Sequence, residues 1–222
     1  MPRLLLIHTA TSTCSIAISN GENILSRFDL ENNNHAEFIT YGIGQCMSDC
    51  GATLNDIDAV AVNGGPGSYT GLRIGLSVAK GICYTLNKPL VLIDALGIIY
   101  NGMRRIANYD WYCAVTDNRR DEIFYSIYSA SGVMTVNTTL TNVDDPKIAE
   151  LIHNKCDSLL FSGSGITKLK NKFPNINVVD VPYIPEDLLI SAVHQFNAGV
   201  FANVAYCEPL YHKEVYIAEA KR

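Results

Sequence analysis

The chain has 222 residues, of which 48% are hydrophobic and 18% charged, the composition of a globular protein with a substantial core. Its formal net charge of −5 argues against direct nucleic-acid binding, since that binding depends on cationic side chains that displace counterions from phosphates. No apolar run approaches the roughly 20 residues of a membrane span, and the opening run is too short for a secretory signal, so we expect a soluble, cytoplasmic protein.

The first half of the sequence is predicted to alternate short strands and helices. Asn20-Gly21 is a strong signal for a tight hairpin turn. Asn34 is suited to cap a helix start, and Gly51 stands where a glycine often follows a helix end. The predicted elements are strands at 4–8, 15–19 and 24–30, a helix at 35–50, a strand at 58–63, a helix at 69–86, a strand at 90–94 and a helix at 95–106.

The second half is predicted to repeat this order. Three strands are expected at 112–117, 122–129 and 133–141, followed by a helix at 146–154, a strand at 159–162, the glycine loop 163–165, a short helix to 172, a strand at 176–181 and a helix at 185–201. Two α/β domains with mixed sheets, here 1–108 and 109–222, are typical of the duplicated actin-like, ribonuclease H-like fold. Strands joined through helices are expected to be parallel, and the opening hairpins antiparallel.

The densest motif is N-G-G-P-G-S-Y-T-G-L-R-I-G at residues 63–75, which leaves a buried strand, turns through three glycines and enters a helix. Glycine can adopt a positive φ, and Ser68 or Thr70 can cap the helix. The motif matches neither common phosphate-binding glycine pattern. Two interpretations therefore stand, a tight strand-to-helix turn and an anion or nucleotide loop made by Gly65, Gly67, Ser68, Thr70 and Arg73.

The predicted helices at 35–50 and 69–86 are apolar around much of their circumference. A surface helix normally shows one narrower apolar stripe, so we interpret the extra apolar side as a partner surface; the alternative is that both helices are buried in their own domain. Small residues four apart would let a partner backbone approach closely. The predicted contact residues are His35, Phe38, Ile39, Gly42, Ile43, Cys46 and Met47 on one helix, and Gly71, Leu72, Gly75, Val78, Ala79 and Ile82 on the other.

The possible metal ligands show no convincing arrangement. The seven cysteines include no C-x-x-C pair and mostly lie in apolar stretches, which predicts buried, reduced thiols. The five histidines, at positions 8, 35, 153, 194 and 212, are not paired as a metal site requires. We predict no metal and no cofactor.

The glycine-loop motif resembles the signature of the bacterial TsaB family. Further resemblances lie in His35-Ala-Glu37, in residues 54–58, in T-D-N-R-R-D-E-I-F-Y at 116–125 and in E-P-L-Y at 208–211. Together they extend over nearly the full length. The resemblance implies an actin-like protein that is related to the catalytic subunit TsaD and binds it through the amino-terminal domain. With TsaD and the ATPase TsaE, such proteins support N6-threonylcarbamoyladenosine formation in tRNA.

Two positions depart from the family patterns. His8 replaces the aspartate of the usual I-D-T-S-T opening, and histidine is a poor ligand for Mg²⁺. Ile39 stands where TsaD has the second histidine of a metal-binding H-x-x-x-H pair. The sequence therefore favours a non-catalytic scaffold that binds TsaD and TsaE homologues, contacts tRNA only indirectly and pairs with itself in isolation. The alternatives are a stand-alone actin-like ATPase or phosphotransferase, and a metallopeptidase.

Overall fold

The computed structural model describes residues 1–31, 34–155 and 158–210. The first half contains β1 (Leu4–His8), β2 (Thr13–Asn20), β3 (Asn23–Glu31), α1 (His35–Asp49), a short 3₁₀ turn (Leu54–Asp56), β4 (Ala59–Gly65), α2 (Tyr69–Leu86), β5 (Leu90–Asp94) and α3 (Ala95–Ile106). The second half contains β6 (Trp111–Asp117), β7 (Glu122–Ser129), β8 (Met134–Asn142), α4 (Pro146–Lys155), β9 (Leu159–Ser162), α5 (Ile166–Lys172), β10 (Asn177–Val178) and α6 (Pro185–Asn197).

The two halves form sheets of the same topology. The first sheet has the order β3-β2-β1-β4-β5, and the second, read in the corresponding direction, β8-β7-β6-β9-β10. In each sheet the first three strands are antiparallel, and the helix-connected fourth and fifth strands are parallel to the first. The predicted duplication and the predicted strand directions are confirmed.

Helices cover both faces of each sheet. One face of the first sheet packs against α1 and α2 around Ile7, Ile16 and Val62. Its other face packs against α6, and α3 lies beside α6 and packs against the second sheet. The remaining face of the second sheet is covered by α4 and α5. The helices α3 and α6 therefore form a layer between the two sheets.

The end of the chain returns to the first sheet. After β10, α6 buries Leu188, Leu189 and Ala192 against that sheet, Ala202 then pairs with Leu90, and the Leu210 N–H donates to the Gly64 carbonyl. The predicted division into domains 1–108 and 109–222 did not include this return. That the two ranges fold as separate units stays a prediction.

Several predicted boundaries differ from the structure. The strand predicted at 176–181 is only two residues long, Asn177–Val178. The helix predicted to reach residue 201 ends at Asn197, and Gly199 follows with a φ of +68°. Asn34 precedes α1 as predicted, but its side chain bonds to Glu37 and does not cap the helix. None of the helices in the described ranges is long and apolar enough to cross a bilayer.

Candidate functional site

The first glycine loop is pressed against the end of β1. Of the three glycines in this loop, Gly65 has a positive φ, at +106°. A Cβ on Gly67 would lie 2.6 Å from the Ala10 carbonyl oxygen, so glycine is needed there for close approach. The Ser68 hydroxyl accepts a hydrogen bond from the Gly71 N–H and caps α2, as one of the two predicted caps.

Two N–H groups of this loop donate hydrogen bonds inside the protein. The Gly65 N–H donates to the Asn63 side-chain oxygen at 2.9 Å, and the Ser68 N–H donates to the Ala10 carbonyl at 2.7 Å. The Arg73 guanidinium lies 4.1 Å from the centre of the Tyr69 ring, on the exposed side of α2. The structure therefore favours the tight-turn interpretation over the anion loop.

The second half carries an equivalent loop after β9. Gly163 has a φ of +116°, and a Cβ there would lie 2.0 Å from the Val115 carbonyl oxygen. The Gly165 N–H donates to that same carbonyl, as the Ser68 N–H does to Ala10 in the first half. Each half thus presses the glycine loop after its fourth strand against the end of its first strand.

The two glycine loops face each other across a cleft of about 510 Å³. Of the five residues predicted for an anion loop, the cleft lining includes Gly67 and Ser68 and leaves out Gly65, Thr70 and Arg73. The lining is formed by His8, Ala10, Thr11, Ser12, Asn63, Pro66, Gly67, Ser68, Ala95, Ile98, Ile99, Thr116, Asp117, Gly163, Ser164, Val181, Tyr183 and Asp187.

His8 is a buried, neutral member of this lining. The Asn63 amide donates to His8 Nδ1 at 2.9 Å, and His8 Nε2 donates to the Thr11 hydroxyl at 3.2 Å. The ring stacks on Tyr183 with 3.9 Å between centroids. Burial, together with the nearby His35, lowers the pKa of His8 to about 3. A neutral ring that uses both nitrogens in this way positions Asn63, and through it the glycine loop.

Two carboxylates complete the cleft, and each has a cationic partner outside the lining. The buried Asp187 accepts two hydrogen bonds from Arg105, at 3.1 and 3.0 Å. Burial raises the pKa of Asp187, although the hydrogen bond from Arg105 acts in the opposite direction. Asp117 is half-exposed and pairs with Lys168 at 2.5 Å, and its N–H donates to the Ser164 hydroxyl.

The predicted partner-contact residues are mostly inside the first domain. All but three of them are buried, and Phe38, Val78 and Ile82 are half-buried. A Cβ on Gly71 would lie 1.9 Å from the Thr9 carbonyl oxygen, and one on Gly75 would lie 2.3 Å from the Thr9 hydroxyl. The interpretation of this small-residue edge as a partner contact is wrong, because the edge lets α2 lie directly against the end of β1.

Part of the second apolar side of α2 is also covered by the protein itself. Residues 202–207 pack against the cluster beneath α2, and the Lys80 ammonium donates to the Ala205 and Cys207 carbonyls at 3.2 and 3.0 Å. Local sequence patterns do not predict this contact, because the two segments are more than 120 residues apart. The apolar residues Ala202, Val204 and Cys207 in a region without regular structure were the available signal.

What remains for a partner is the surface of α1 and α2 that points away from the sheet. We call it the outer face, and it consists of Thr40 and Gly44 on α1 and of Ile74, Ser77, Val78 and Gly81 on α2. No atom of another described residue lies within 4 Å of where a Cβ would stand on Gly44 or Gly81. Glycine inside an exposed helix costs about 1 kcal/mol relative to alanine, and no contact from the described residues compensates for it here.

The titratable side chains of the described residues form no metal site. Cys14, Cys46, Cys83 and Cys113 are buried free thiols, and Cys50 and Cys207 are half-buried free thiols. Within the described ranges, no three His, Cys, Asp or Glu side chains are placed to hold a metal ion. Cys156, His212 and the last residue of the 208–211 motif lie outside the described residues.

Two sheets of one topology, with a cleft between two equivalent glycine loops, define a duplicated α/β protein of the actin-like class. The family model described as tRNA N6-adenosine threonylcarbamoyltransferase, TsaD, matches residues 29–206. The TsaB protein of Escherichia coli (strain K12), a tRNA threonylcarbamoyladenosine biosynthesis protein, is 27% identical over 223 residues, which cover 94% of each chain. The tRNA N6-adenosine threonylcarbamoyltransferase of Brachyspira hyodysenteriae is 26% identical over 239 residues, which cover 97% of this chain and 68% of that protein.

The solved structure of YeaZ from Pseudomonas aeruginosa has the same fold, with a TM-score of 0.79 and 22% identity over 95% of this chain and 100% of that one. The chain belongs to the TsaB family, within the wider family that the TsaD model describes. The family resemblance and the fold class predicted from the sequence are confirmed.

Proposed function

We propose that the chain is a non-catalytic scaffold subunit of a complex that makes N6-threonylcarbamoyladenosine in tRNA, and that it binds a TsaD homologue through the outer face. The observation that carries this proposal is the pair of open helix glycines, Gly44 and Gly81. A helix from the partner can approach most closely where side chains are absent, and the apolar surface it buries offsets the low helix propensity of glycine. Ile74 and Val78, both half-buried, supply that apolar surface.

The chemistry and most tRNA contact are assigned to the partners. The net charge of −5 is unfavourable for binding the tRNA backbone, so a TsaD homologue would supply the cationic surface and a TsaE homologue the ATPase. His8 lies where the family usually has an aspartate, and a buried neutral imidazole cannot replace a carboxylate as a Mg²⁺ ligand. In the absence of TsaD, we expect the outer face to pair with a second copy of the chain.

The test is co-purification with the TsaD homologue from the same organism. Gly44→Glu and Gly81→Arg place long charged side chains into open space, so the monomer keeps its fold while docking is blocked. We expect each variant to weaken binding by at least about tenfold. Ile190→Glu changes an exposed apolar residue on α6 and serves as the matched control. Binding of both outer-face variants at wild-type affinity would place the contact elsewhere.

A stand-alone actin-like ATPase remains the second candidate, because the cleft lies between the two glycine loops as in a nucleotide-binding fold. Calorimetric titration of the isolated chain with Mg-ATP separates the two functions. A scaffold gives no heat of binding below millimolar concentrations, whereas an ATPase binds and turns the nucleotide over.

A further inference from the structure

The cleft between the two glycine loops has a lining of mixed chemistry. Its apolar part includes Ile98, Ile99 and Val181. Hydroxyl groups come from both loops, Ser68 on the first and Ser164 on the second, and from Ser12. A volume of about 510 Å³ lies within the range of small-molecule sites, and such a combination suits a ring with one flat apolar face and a polar edge.

The charges of the lining oppose a phosphorylated ligand. Among the described lining residues there is no lysine or arginine, and the two charged groups are the carboxylates of Asp117 and Asp187. Each of these carboxylates already engages a cation: Arg105 pairs with Asp187, and Lys168 with Asp117 and the Asn118 carbonyl. A phosphate in the cleft would therefore be desolvated without a free cation among the described lining residues to pair with it.

One buried hydroxyl in the lining has no hydrogen-bond partner. Thr116, at the end of β6, is 7% exposed, and its Oγ1 contacts no donor or acceptor among the described residues. A buried unpaired hydroxyl is unfavourable, and sites that bind polar ligands often carry one until the ligand arrives. The unpaired Thr116 hydroxyl therefore favours a ligand that places a hydroxyl or amide group next to it.

We propose that the cleft binds an uncharged ring ligand with neighbouring hydroxyl groups, as found in free sugars and in nucleosides, and that it rejects the phosphorylated forms. The cleft is separate from the outer face, so a test of its ligand is independent of the test of the scaffold function.

Matched pairs that differ only in a phosphate test the proposal. Glucose is compared with glucose 6-phosphate, and adenosine with AMP, by calorimetry and by following the Gly67 and Gly163 amide signals in nuclear magnetic resonance spectra. We expect the uncharged member of at least one pair to bind at least about tenfold more tightly than its phosphorylated form, and the pair that responds identifies the source of the ring. Equal or tighter binding of the phosphorylated forms, or no binding of either uncharged compound at millimolar concentration, would overturn the proposal.

Thr116→Val tests the role of the unpaired hydroxyl. Valine has nearly the same shape and removes a buried polar group, so Tm is expected to stay constant or rise by about 2–4 °C, while affinity for the responding uncharged compound falls about tenfold. Thr40→Val on the outer face is the matched control, with unchanged affinity. Wild-type affinity in Thr116→Val would remove Thr116 from the site, and a fall in Tm would show that its hydroxyl is satisfied within the folded chain; either result contradicts the proposal.

Discussion

Two glycines of α2 that look equivalent in sequence should respond in opposite ways to alanine. At Gly71 the added methyl would lie 1.9 Å from a backbone oxygen, that of Thr9, which cannot rotate aside as a side chain can. Overpacking costs about 1–3 kcal/mol, and we expect the upper end of that range for Gly71→Ala. Because alanine gains about 1 kcal/mol in helix propensity, the net loss in free energy of unfolding is about 2 kcal/mol. At Gly81 only the propensity gain of about 1 kcal/mol remains, because no atom of another described residue lies within 4 Å of the added methyl.

The two variants should therefore differ by about 3 kcal/mol in free energy of unfolding, or by about 6–12 °C in Tm for a chain of this size. Urea unfolding followed by circular dichroism measures the difference, and an unchanged m-value shows that the unfolded state is unaffected. Equal stability of Gly71→Ala and Gly81→Ala would contradict this steric explanation. Gly81→Ala should also bind the TsaD homologue less tightly than the wild type does, although it is more stable.

Four further substitutions test the cleft and the contact between α2 and residues 203–207. The pKa of His8 is about 3 in the folded chain and 6.5 in the unfolded chain, so the unfolded state binds more protons as the pH falls. The free energy of unfolding should therefore fall by about 1.4 kcal/mol per pH unit below pH ~6. In His8→Gln this slope should be lost, as measured by urea titrations between about pH 6.5 and 5. Arg105→Met leaves the carboxylate of Asp187, 1% exposed, without its partner. This variant should lose about 3 kcal/mol in free energy of unfolding at neutral pH, and the loss should shrink in acid, where Asp187 is protonated. Asp187→Asn should lose less, because the Arg105 side chain is 36% exposed and can be hydrated. Lys80→Met removes the donor to two carbonyls of residues 203–207; it should cost about 1–2 kcal/mol, with faster amide hydrogen exchange in that segment.

Local patterns were enough to predict the fold. Alternating strands, the Asn20-Gly21 turn and the glycine after α1 each reflect interactions within a few residues, and Gly21 and Gly51 have the positive φ that those turns require. The repeated order of elements then indicated two sheets of the same topology. These are cases in which backbone preference and hydrophobic periodicity act in the same direction.

Contacts between distant segments could not be predicted in this way. The glycines of α2 were interpreted as open to a partner, but Gly71 and Gly75 lie against Thr9. The apolar side of α2 next to Lys80 is covered by residues 202–207. An apolar helix side indicates that something covers it and does not say whether the cover is the same chain or another one.

The candidate cleft was predicted only in part. Gly67, Ser68 and the loop 163–165 were recognised as glycine loops, and the structure brings them together. Tyr183 and Asp187 were missed, because their position depends on how the chain crosses between the sheets after β10. No periodicity within the sequence encodes that crossing.

The return of α6 to the first sheet affects how the protein can be made. Leu4 and Leu6 are synthesised more than 180 residues before Leu188 and Leu189, which cover them. Domains usually fold in order as they leave the ribosome. Here one side of the first sheet must stay uncovered until α6 has been synthesised. The nascent protein therefore exposes an apolar surface during that interval, and a ribosome-bound chaperone would have a defined place to bind it.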